Sequence, residues 1–270
     1  MIEINNLNFK YGKQAKLFNE LSFSEEAGSI VGLLGKNGAG KSTLLKLLTG
    51  LLASSEKSIT VLGETPFNRK PQFLEQVYFV PEEYELPGVK ISEYVKAHAR
   101  FYPGFDFEKL HQIMIDFELD PKSRLTKMSY GQHKKFLIAF ALSTNCKLLV
   151  LDEPTNGLDI PSKAIFRKVV ASSLNNDQLV LISTHQVKDV ENLIDTILII
   201  DRGKIKMHSS IWDISKNYSF TTVSQLTEGE VLYSEVAPGG FKVLKECKSG
   251  TTTVDIELLF NAVTQGVNLN

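Results

Sequence analysis

A glycine-rich segment near the start of the chain constrains its fold more than any other stretch. Residues 35–43 contain a glycine, four further residues and then Gly-Lys-Ser, which is the pattern of a loop that binds phosphate groups. The apolar run Ser29 to Leu34 precedes it as a predicted buried strand, and leucines at helical spacing follow it as far as Gly50. A glycine-rich turn without a ligand is the alternative. Strand, loop and helix in this order favour a nucleotide site, because backbone N–H groups and a helix N-terminus then face the phosphates.

The residues of this phosphate loop (35–43) have separate expected roles. Those expected to contact the nucleotide are Gly35, Asn37, Gly38, Ala39, Gly40, Lys41, Ser42 and Thr43. Lys41 is expected to bridge the β- and γ-phosphates, and the Ser42 hydroxyl to hold Mg²⁺. Tyr11 lies in the turn of a predicted N-terminal hairpin and has two interpretations. Its ring stacks on an adenine, or it packs on neighbouring loop residues.

The composition restricts the class of protein. With 270 residues, 43% hydrophobic and 23% charged, the chain is typical of a globular protein with one large α/β domain and an appendage. Its net charge of −1 provides no basic surface field, so we expect no nucleic-acid partner. Cys146 and Cys247 lie far apart, which favours reduced thiols in the cytosol. No apolar run reaches membrane-spanning length and no signal sequence is found, so we expect a partner to supply any membrane span.

Strand and helix patterns alternate along most of the chain, which predicts an α/β fold. We expect a P-loop NTPase core with a mostly parallel sheet, an N-terminal antiparallel β part, a helical subdomain insert and a small C-terminal β-rich appendage. The predicted nucleotide-binding domain covers residues 1–215, with the helical insert at about 84–145, and the appendage covers 216–270. Within these, the pattern predicts a helix over 134–143 and a strand over 252–256.

Two adjacent acids and a histidine follow predicted buried strands. Asp152 and Glu153 come directly after the apolar run Leu148 to Leu151, and His185 follows a second apolar run. ATP hydrolysis requires a magnesium ligand, an oriented water and positive charge near the γ-phosphate. Asp152 is therefore predicted to lie near Mg²⁺, Glu153 to accept a proton from the attacking water, and His185 to contact the γ-phosphate. A solvated acidic loop and a structural histidine are the alternatives.

The motifs, taken in order, resemble those of the nucleotide-binding subunit of an ATP-binding-cassette (ABC) transporter. The residues that carry the resemblance are Tyr11, the phosphate loop, the signature segment (128–132), Leu148 to Glu153, the segment 156–159 and His185. The match covers about residues 1–215. Pro81-Glu82 and the segment 101–106 are similar to those of bacterial export-type systems with a separate permease.

The resemblance implies a head-to-tail dimer with ATP held at each interface. Ser129 and the Gly131 backbone, with Gln132 beside them, would contact the partner's γ-phosphate, and Asp159 would lie at the dimer seam. The dimer would be a homodimer or a heterodimer with a similar ATPase subunit. A separate transmembrane permease would contact the helical insert. ATP and Mg²⁺ are the implied cofactors, and the implied location is cytoplasmic, peripheral on the inner face of the cell membrane.

Two positions differ from the family pattern. Tyr130 stands where the signature segment usually has glycine, which would strain the backbone if this position requires a positive φ. Glu82 stands where the family usually has a glutamine that touches Mg²⁺ and the attacking water. Either Glu82 senses the site through Mg²⁺, or it points to solvent or to a basic partner.

Two other functions remain compatible with the sequence. One is a soluble, non-transport ABC ATPase, although the chain has neither a second cassette nor a coiled-coil or cysteine-rich insert. The other is a non-hydrolysing, nucleotide-gated regulatory subunit, against which the intact Lys41, Asp152, Glu153 and His185 argue. The appendage could support the fold, tune dimerisation, contact the permease or bind a regulator. The transported substance is not encoded in this chain if the permease selects it.

Overall fold

The computed structural model describes residues 1–54, 58–226, 231–247 and 252–269. Its strands are β1 (Ile2–Phe9), β2 (Phe18–Glu25), β3 (Ser29–Leu34), β4 (Ile59–Val61), β5 (Val77–Val80), β6 (Leu148–Asp152), β7 (Leu179–Thr184), β8 (Thr196–Asp201), β9 (Lys204–Ser210), β10 (Tyr218–Val223), β11 (Tyr233–Ala237) and β12 (Gly240–Glu246). Its α-helices are α1 (Lys41–Leu48), α2 (Pro71–Leu74), α3 (Ile91–His98), α4 (Phe107–Asp116), α5 (Tyr130–Ser143), α6 (Ile160–Ser173), α7 (Ile211–Asn217) and α8 (Ile256–Thr264). The predicted α/β fold is confirmed.

The central sheet has the strand order β5-β6-β7-β3-β8-β9, and only its edge strand β9 pairs antiparallel. β7 lies between β6 and β3, with Asp152 level with Ser183 and Leu34 level with Thr184. The carboxyl ends of these three parallel strands therefore meet at one edge of the sheet. That edge carries the phosphate loop, Glu153 and His185.

The sheet separates two hydrophobic cores, because alternate side chains of a strand point to opposite faces. Along β3, Val31 and Leu33 pack in one core with the N-terminal sheet β2-β1-β4 and α1, whereas Ile30 and Leu34 pack in the other with the helical insert. The phosphate loop thus follows a strand that is buried on both faces, which fixes its position.

Helices α3, α4 and α5 lie within the predicted helical insert. α5 begins at Tyr130, four residues before the predicted start at Lys134. The reason is a capping box: the Ser129 hydroxyl accepts from the Gln132 N–H at 3.2 Å, and the Gln132 side chain accepts from the Ser129 N–H at 2.9 Å. The signature segment is therefore the N-terminus of a helix.

The C-terminal residues form the antiparallel sheet β10-β12-β11 and the helix α8. The predicted strand over 252–256 is wrong, because the Asp255 side chain accepts from the Leu258 N–H at 3.0 Å and starts α8 at Ile256. α8 packs on β8, β9 and the 3₁₀ turn Val187–Asp189, and its apolar side chains join the core of the central sheet. The predicted boundary at 215/216 falls within α7 and stays a prediction. Within the described residues, no helix combines the length and the apolar character that crossing a membrane requires.

Candidate nucleotide-binding site

A pocket of about 730 Å³ opens at the carboxyl edge of the central sheet. It is lined by Tyr11, Gln14, Ala15, Lys16, Leu17, Asn37, Gly38, Gly40, Lys41, Ser42, Thr43, Glu82, Glu153 and His185. The structure thus brings together ten of the residues predicted from the sequence, which come from five separate parts of the chain. A pocket of this size is sufficient for a small-molecule cofactor.

The phosphate loop takes its shape from tight packing as well as from its own glycines. Gly40 has φ +104°, and a Cβ at this position would lie 2.6 Å from the Phe18 ring, so no larger residue fits without a shift. The loop leads directly into α1, which begins at Lys41. Backbone N–H groups at the start of α1 therefore lie at the pocket, where they favour an anion.

Lys41 is held at the base of the phosphate loop. Its Nζ donates to the carbonyl oxygens of Gly35 at 2.7 Å and Lys36 at 3.5 Å, and the side chain is buried. Burial lowers the pKa of Lys41, whereas Glu153, Asp152 and Glu82 act in the opposite direction. A buried ammonium with two carbonyl contacts is placed to exchange one of them for a phosphate oxygen.

The two predicted acids have different surroundings. The Asp152 carboxylate ends β6 and accepts a short hydrogen bond from the Ser183 hydroxyl. Glu153 has φ +45°, a left-handed conformation that costs a non-glycine residue roughly 1–3 kcal/mol. Glu153 Oε1 lies 2.7 Å from His185 Nδ1, while Oε2 is buried and has no hydrogen-bond partner among the described residues. A residue with a strained backbone and an unpaired, buried carboxylate oxygen is typical of a functional site.

His185 has a second contact that indicates its tautomer. Its Nε2 lies 3.5 Å from the side-chain amide nitrogen of Gln186. An amide nitrogen can only donate, so the tautomer that satisfies both contacts carries its proton on Nδ1 and donates it to Glu153. The histidine therefore orients the Glu153 carboxylate.

Glu82 points neither to solvent alone nor to a basic side chain. Its Oε1 accepts from Asn156 Nδ2 at 3.0 Å, and Asn156 Oδ1 accepts from Gln186 Nε2 at 3.3 Å. Since Gln186 also touches His185, a polar chain joins Glu82 to the Glu153–His185 pair. Glu82 also lines the pocket, so its predicted role at Mg²⁺ stays a prediction.

Tyr11 is fixed beside the phosphate loop. Its hydroxyl lies 3.0 Å from Thr43 Oγ1, and its ring meets Phe9 edge-on at a centroid distance of 5.0 Å. The side chain remains 40% exposed at the pocket. Packing on a neighbour is therefore present, and the exposed part of the ring leaves stacking on a base available.

The remaining predicted contacts do not line this pocket. Ser129, Gly131 and Gln132 lie at the start of α5, and Asp159 caps α6 by accepting from the Ser162 N–H at 2.9 Å. Hydrogen bonds from Ser162 hold the pKa of Asp159 below its ordinary value. A single chain therefore presents the phosphate loop and the signature segment as two separate surfaces.

The sequence patterns assign no role to three residues that connect these parts, although one of them, Asn156, belongs to the segment 156–159. Asn156 and Ser183 hold Glu82 and Asp152, as described above. Lys134 is fully buried, and its Nζ donates to the carbonyl oxygens of Pro81 at 3.2 Å and Glu82 at 3.3 Å. Burial lowers the pKa of Lys134 to about 8, against the opposing effect of nearby Glu82, Asp152 and Glu153. A lysine one helical turn after Tyr130 was the available signal.

The oxygen donors around the pocket fit a magnesium ion bound together with phosphates. Within the described residues, no group of three or more His, Cys, Asp or Glu side chains could hold a metal ion alone. Ser42 lines the pocket and Asp152 is buried at its edge. Mg²⁺ prefers such oxygen ligands and usually completes its shell with substrate phosphates and water.

Sequence comparisons place these features in a known context. The ABC transporter family profile matches residues 18–156. An uncharacterised ABC transporter ATP-binding protein, YdbJ of Bacillus subtilis, is 31% identical over 217 residues, which cover 78% of this chain and 70% of that protein. The SkfA peptide export ATP-binding protein SkfE of Bacillus subtilis is 31% identical over 211 residues, covering 76% of this chain and 87% of that protein.

Solved structures show the same architecture. One described as the ATP-binding subunit of an ABC transporter superposes with a TM-score of 0.70 at 25% identity, covering 79% of this chain and 91% of that one. Another, a dimeric post-hydrolysis state of an ATP-binding cassette bound to ADP and Pi, superposes with a TM-score of 0.67 at 20% identity over 78% of this chain and 98% of that one. The second likeness is one of fold.

Proposed function

The chain belongs to the ABC transporter family as an ATP-binding subunit, and on this premise we propose that two copies close around ATP and drive a separate membrane permease. One observation carries the proposal: Lys41, Glu153 and His185 line a single pocket, and one buried Glu153 oxygen has no hydrogen-bond partner among the described residues. Hydrolysis requires a phosphate cradle, a base and an oriented water, and this pocket offers candidates for each.

The phosphate loop would hold the β- and γ-phosphates through its backbone N–H groups, with Lys41 moving from the Gly35 carbonyl to a phosphate oxygen. Glu153 would accept the proton of the attacking water at Oε2, because His185 occupies Oε1. His185 keeps the carboxylate oriented through Nδ1, and its predicted contact with the γ-phosphate would require a proton on Nε2 as well, because phosphate oxygens only accept. These positions match the requirements of general base catalysis, which contributes about 10²- to 10⁴-fold in rate.

Magnesium would be held by the Ser42 hydroxyl and, through its outer shell, by Asp152 and Glu82. When bound, Mg²⁺ neutralises charge on the phosphate oxygens. Residues of the chain hold the two carboxylates in place: Ser183 fixes Asp152, and Asn156 fixes Glu82. The unusual carboxylate at position 82 thus has a structural support that keeps it at the pocket.

The second half of each site would come from the partner chain. Ser129, Gly131 and Gln132 lie at an exposed helix N-terminus, which favours a phosphate. Beside these surfaces lie apolar side chains that a monomer leaves in water: Ile160, next to Asp159, is 84% exposed, and Tyr130 is 47% exposed. A head-to-tail dimer would bury them. The partner is a second copy or a similar ATPase subunit.

The permease would bind in an apolar groove of about 420 Å³ between the nucleotide-binding core and the helical insert. Leu51 and Phe101 line it and are 49% and 56% exposed. An amphipathic cytoplasmic helix is the partner that such a groove fits. Phe79 of β5 lines the same groove, and Glu82 follows it by three residues. Docking and the nucleotide pocket would communicate through this short segment.

Glu153→Gln tests the proposal. We expect turnover to fall by about 10²-fold or more, while ATP with Mg²⁺ accumulates a stable dimer in size-exclusion chromatography. Glu191→Gln, which removes an exposed carboxylate six residues after His185 in the sequence, is the matched control and should behave as the wild type. If neither the wild type nor Glu153→Gln hydrolyses ATP although both dimerise with it, the protein is a nucleotide-gated regulatory subunit.

Crosslinking tests the dimer itself. Asn37→Cys lines the pocket and Ser129→Cys lies at the helix start, and only a head-to-tail dimer brings them together. With the partly exposed native Cys247 replaced by serine, we expect an ATP-dependent crosslink between chains for the double variant and none for either single variant. Its absence with ATP and Mg²⁺ would contradict the proposal. Co-purification from native membranes, with or without Phe101→Asp, separates a transporter subunit from a soluble ATPase.

A further inference from the structure

Three side chains form a cluster where the signature segment meets the Glu82 loop (81–88), which follows β5. Tyr130 and Tyr84 stack with ring centroids 5.7 Å apart and an interplanar angle of 12°. The Lys134 ammonium lies 5.2 Å from the Tyr84 centroid and 5.8 Å from the Tyr130 centroid. These distances allow cation–π attraction to both rings. We call Tyr84, Tyr130 and Lys134 the tyrosine–lysine cluster.

Hydrogen bonds join α5 and the Glu82 loop in both directions. The Tyr130 hydroxyl donates to the Glu82 carbonyl oxygen at 3.0 Å, and Lys134 donates to the same oxygen at 3.3 Å. In return, the Tyr84 hydroxyl donates to the Tyr130 carbonyl oxygen at 3.3 Å. Two donors from α5 therefore converge on one backbone carbonyl of a residue that lines the nucleotide pocket.

The substitution of tyrosine for glycine in the signature segment has no backbone cost. Tyr130 is the first residue of α5 and has helical geometry, so the strain considered from the sequence does not arise. Its ring instead covers Gly157, where a Cβ would lie 2.5 Å from the Tyr130 ring. Tyr130 thus belongs to the signature segment and contacts two other parts of the site, the Glu82 loop and the segment 156–159.

The burial of Lys134 indicates that this residue positions α5 relative to the Glu82 loop. Burying an ammonium costs free energy unless hydrogen bonds replace its hydration, and an apolar side chain would fill the same space without that cost. The carbonyl oxygens of Pro81 and Glu82 supply the replacement. The arrangement fixes where α5 stands relative to the Glu82 loop, which an apolar contact would leave free to slide.

We propose that the tyrosine–lysine cluster is a positioning device that couples the Glu82 loop of a chain's own nucleotide pocket to the Ser129 helix end that it presents to its partner's ATP. This inference rests on the head-to-tail dimer of the proposed function. Neither Tyr130 nor Lys134 lines the nucleotide pocket of its own chain. They act through the Glu82 carbonyl on one side and through the position of Ser129 on the other.

Tyr130→Phe is the first test, because it keeps the ring and the stacking and removes only the hydroxyl bonded to Glu82. We expect the affinity of the isolated chain for a fluorescent ATP analogue to stay unchanged, since Tyr130 does not line the pocket. Turnover should fall about 2- to 10-fold, the range for one lost hydrogen bond, and the Hill coefficient for ATP should approach one. Lys134→Met removes the second donor and should lower both quantities further.

Tyr94→Phe is the matched control. It removes a hydroxyl from the same helical insert, at a ring that packs on α5 through Phe136 and Phe140. A loss of cooperativity in this variant equal to that of Tyr130→Phe would assign the effect to general loosening of the insert and overturn the proposal.

Mixed dimers separate the two sides of the coupling. In both mixtures one chain carries Glu153→Gln, so only the other chain's pocket hydrolyses ATP. Tyr130→Phe in the active chain disturbs the Glu82 loop of the working pocket. Tyr130→Phe in the inactive chain disturbs only the Ser129 presented to that pocket. We expect both mixtures to turn over more slowly than the mixture with intact Tyr130.

The outcomes distinguish this inference from the proposed function. If one mixed dimer alone is slowed, or neither is, the cluster does not couple the two sites, although the dimeric ATPase stands. If neither the wild-type chain nor Glu153→Gln forms an ATP-dependent dimer, the proposed function fails and the coupling fails with it.

Discussion

Gly157 and Gly63 have nearly the same backbone conformation, with φ +78° and +77°, but only Gly157 is packed against a side chain. An added Cβ at Gly157 would lie 2.5 Å from Tyr130 Cδ1 and 2.7 Å from Cε1, whereas a Cβ at Gly63 would meet nothing within 4 Å. Alanine at either position has the left-handed strain, roughly 1–2 kcal/mol. Gly157→Ala adds overpacking, roughly 1–3 kcal/mol.

The comparison with Tyr130→Ala isolates the contact. Removing the ring should abolish the overpacking. Gly157→Ala should therefore lower the free energy of unfolding by about 1–3 kcal/mol less in the Tyr130→Ala background than in the wild type. Gly63→Ala should cost the same in both. At about 2 °C per kcal/mol for a chain of this length, the coupling corresponds to a shift of about 2–6 °C in Tm.

Thermal unfolding of the wild type and the five variants (three single and two double), followed at one scan rate without nucleotide, measures the difference. The reasoning is refuted if Gly157→Ala and Gly63→Ala lower Tm equally, or if Tyr130→Ala leaves the effect of Gly157→Ala unchanged. Either result would show that Tyr130 does not cover Gly157. Because the measurement needs no ATP, it tests the packing around the signature segment independently of the proposed function.

Three further outcomes are expected. Tyr11→Ala should weaken ATP binding about 10-fold by calorimetry, as for loss of one base–aromatic contact. Tyr11→Phe should bind ATP within about 3-fold of the wild type, because it loses only the Thr43 contact. Equal affinities of Tyr11→Ala and the wild type would show that Tyr11 only packs on the loop. Glu82→Gln should raise the Mg²⁺ concentration for half-maximal turnover several-fold, since it removes a charge from the pocket; unchanged Mg²⁺ dependence and turnover would limit Glu82 to its bond with Asn156. The pKa of Lys134 is lowered from 10.5 to about 8, so the unfolded chain binds more protons between these values and stability rises with pH there. Between about pH 7.5 and pH 9.5, the free energy of unfolding of the wild type, measured in urea, should rise by up to about 2 kcal/mol relative to that of Lys134→Met. The absence of this rise would contradict the burial of the Lys134 charge.

Local patterns were sufficient to predict the parts of the nucleotide site that sit at strand ends. The phosphate loop, Glu153 and His185 each follow an apolar run, and those runs are β3, β6 and β7. A buried parallel strand is recognisable from its residues alone, and the carboxyl ends of adjacent parallel strands must share an edge. The predicted helix over 134–143 is too short, because the capping box formed by Ser129 and Gln132 starts the helix four residues earlier, at Tyr130.

Near the C-terminus the sequence pattern was misleading. The segment 252–256 is rich in β-branched residues and predicted a strand, but a single Asp255 side chain caps a helix at this point. Residues with high strand propensity adopt the secondary structure that their packing allows. Here that packing is α8 against the central sheet.

The sequence by itself determined the fold class, the phosphate loop and the acid pair, because each depends on residues that are neighbours along the chain. Only the tertiary structure decided what Glu82 binds, where Tyr130 points and why Lys134 is buried. Glu82 and Asn156 are 74 residues apart, and Tyr130 and Glu82 are 48 residues apart. No local periodicity records such pairs, since they form only after the helical insert has packed against the sheet and brought these side chains within hydrogen-bonding distance.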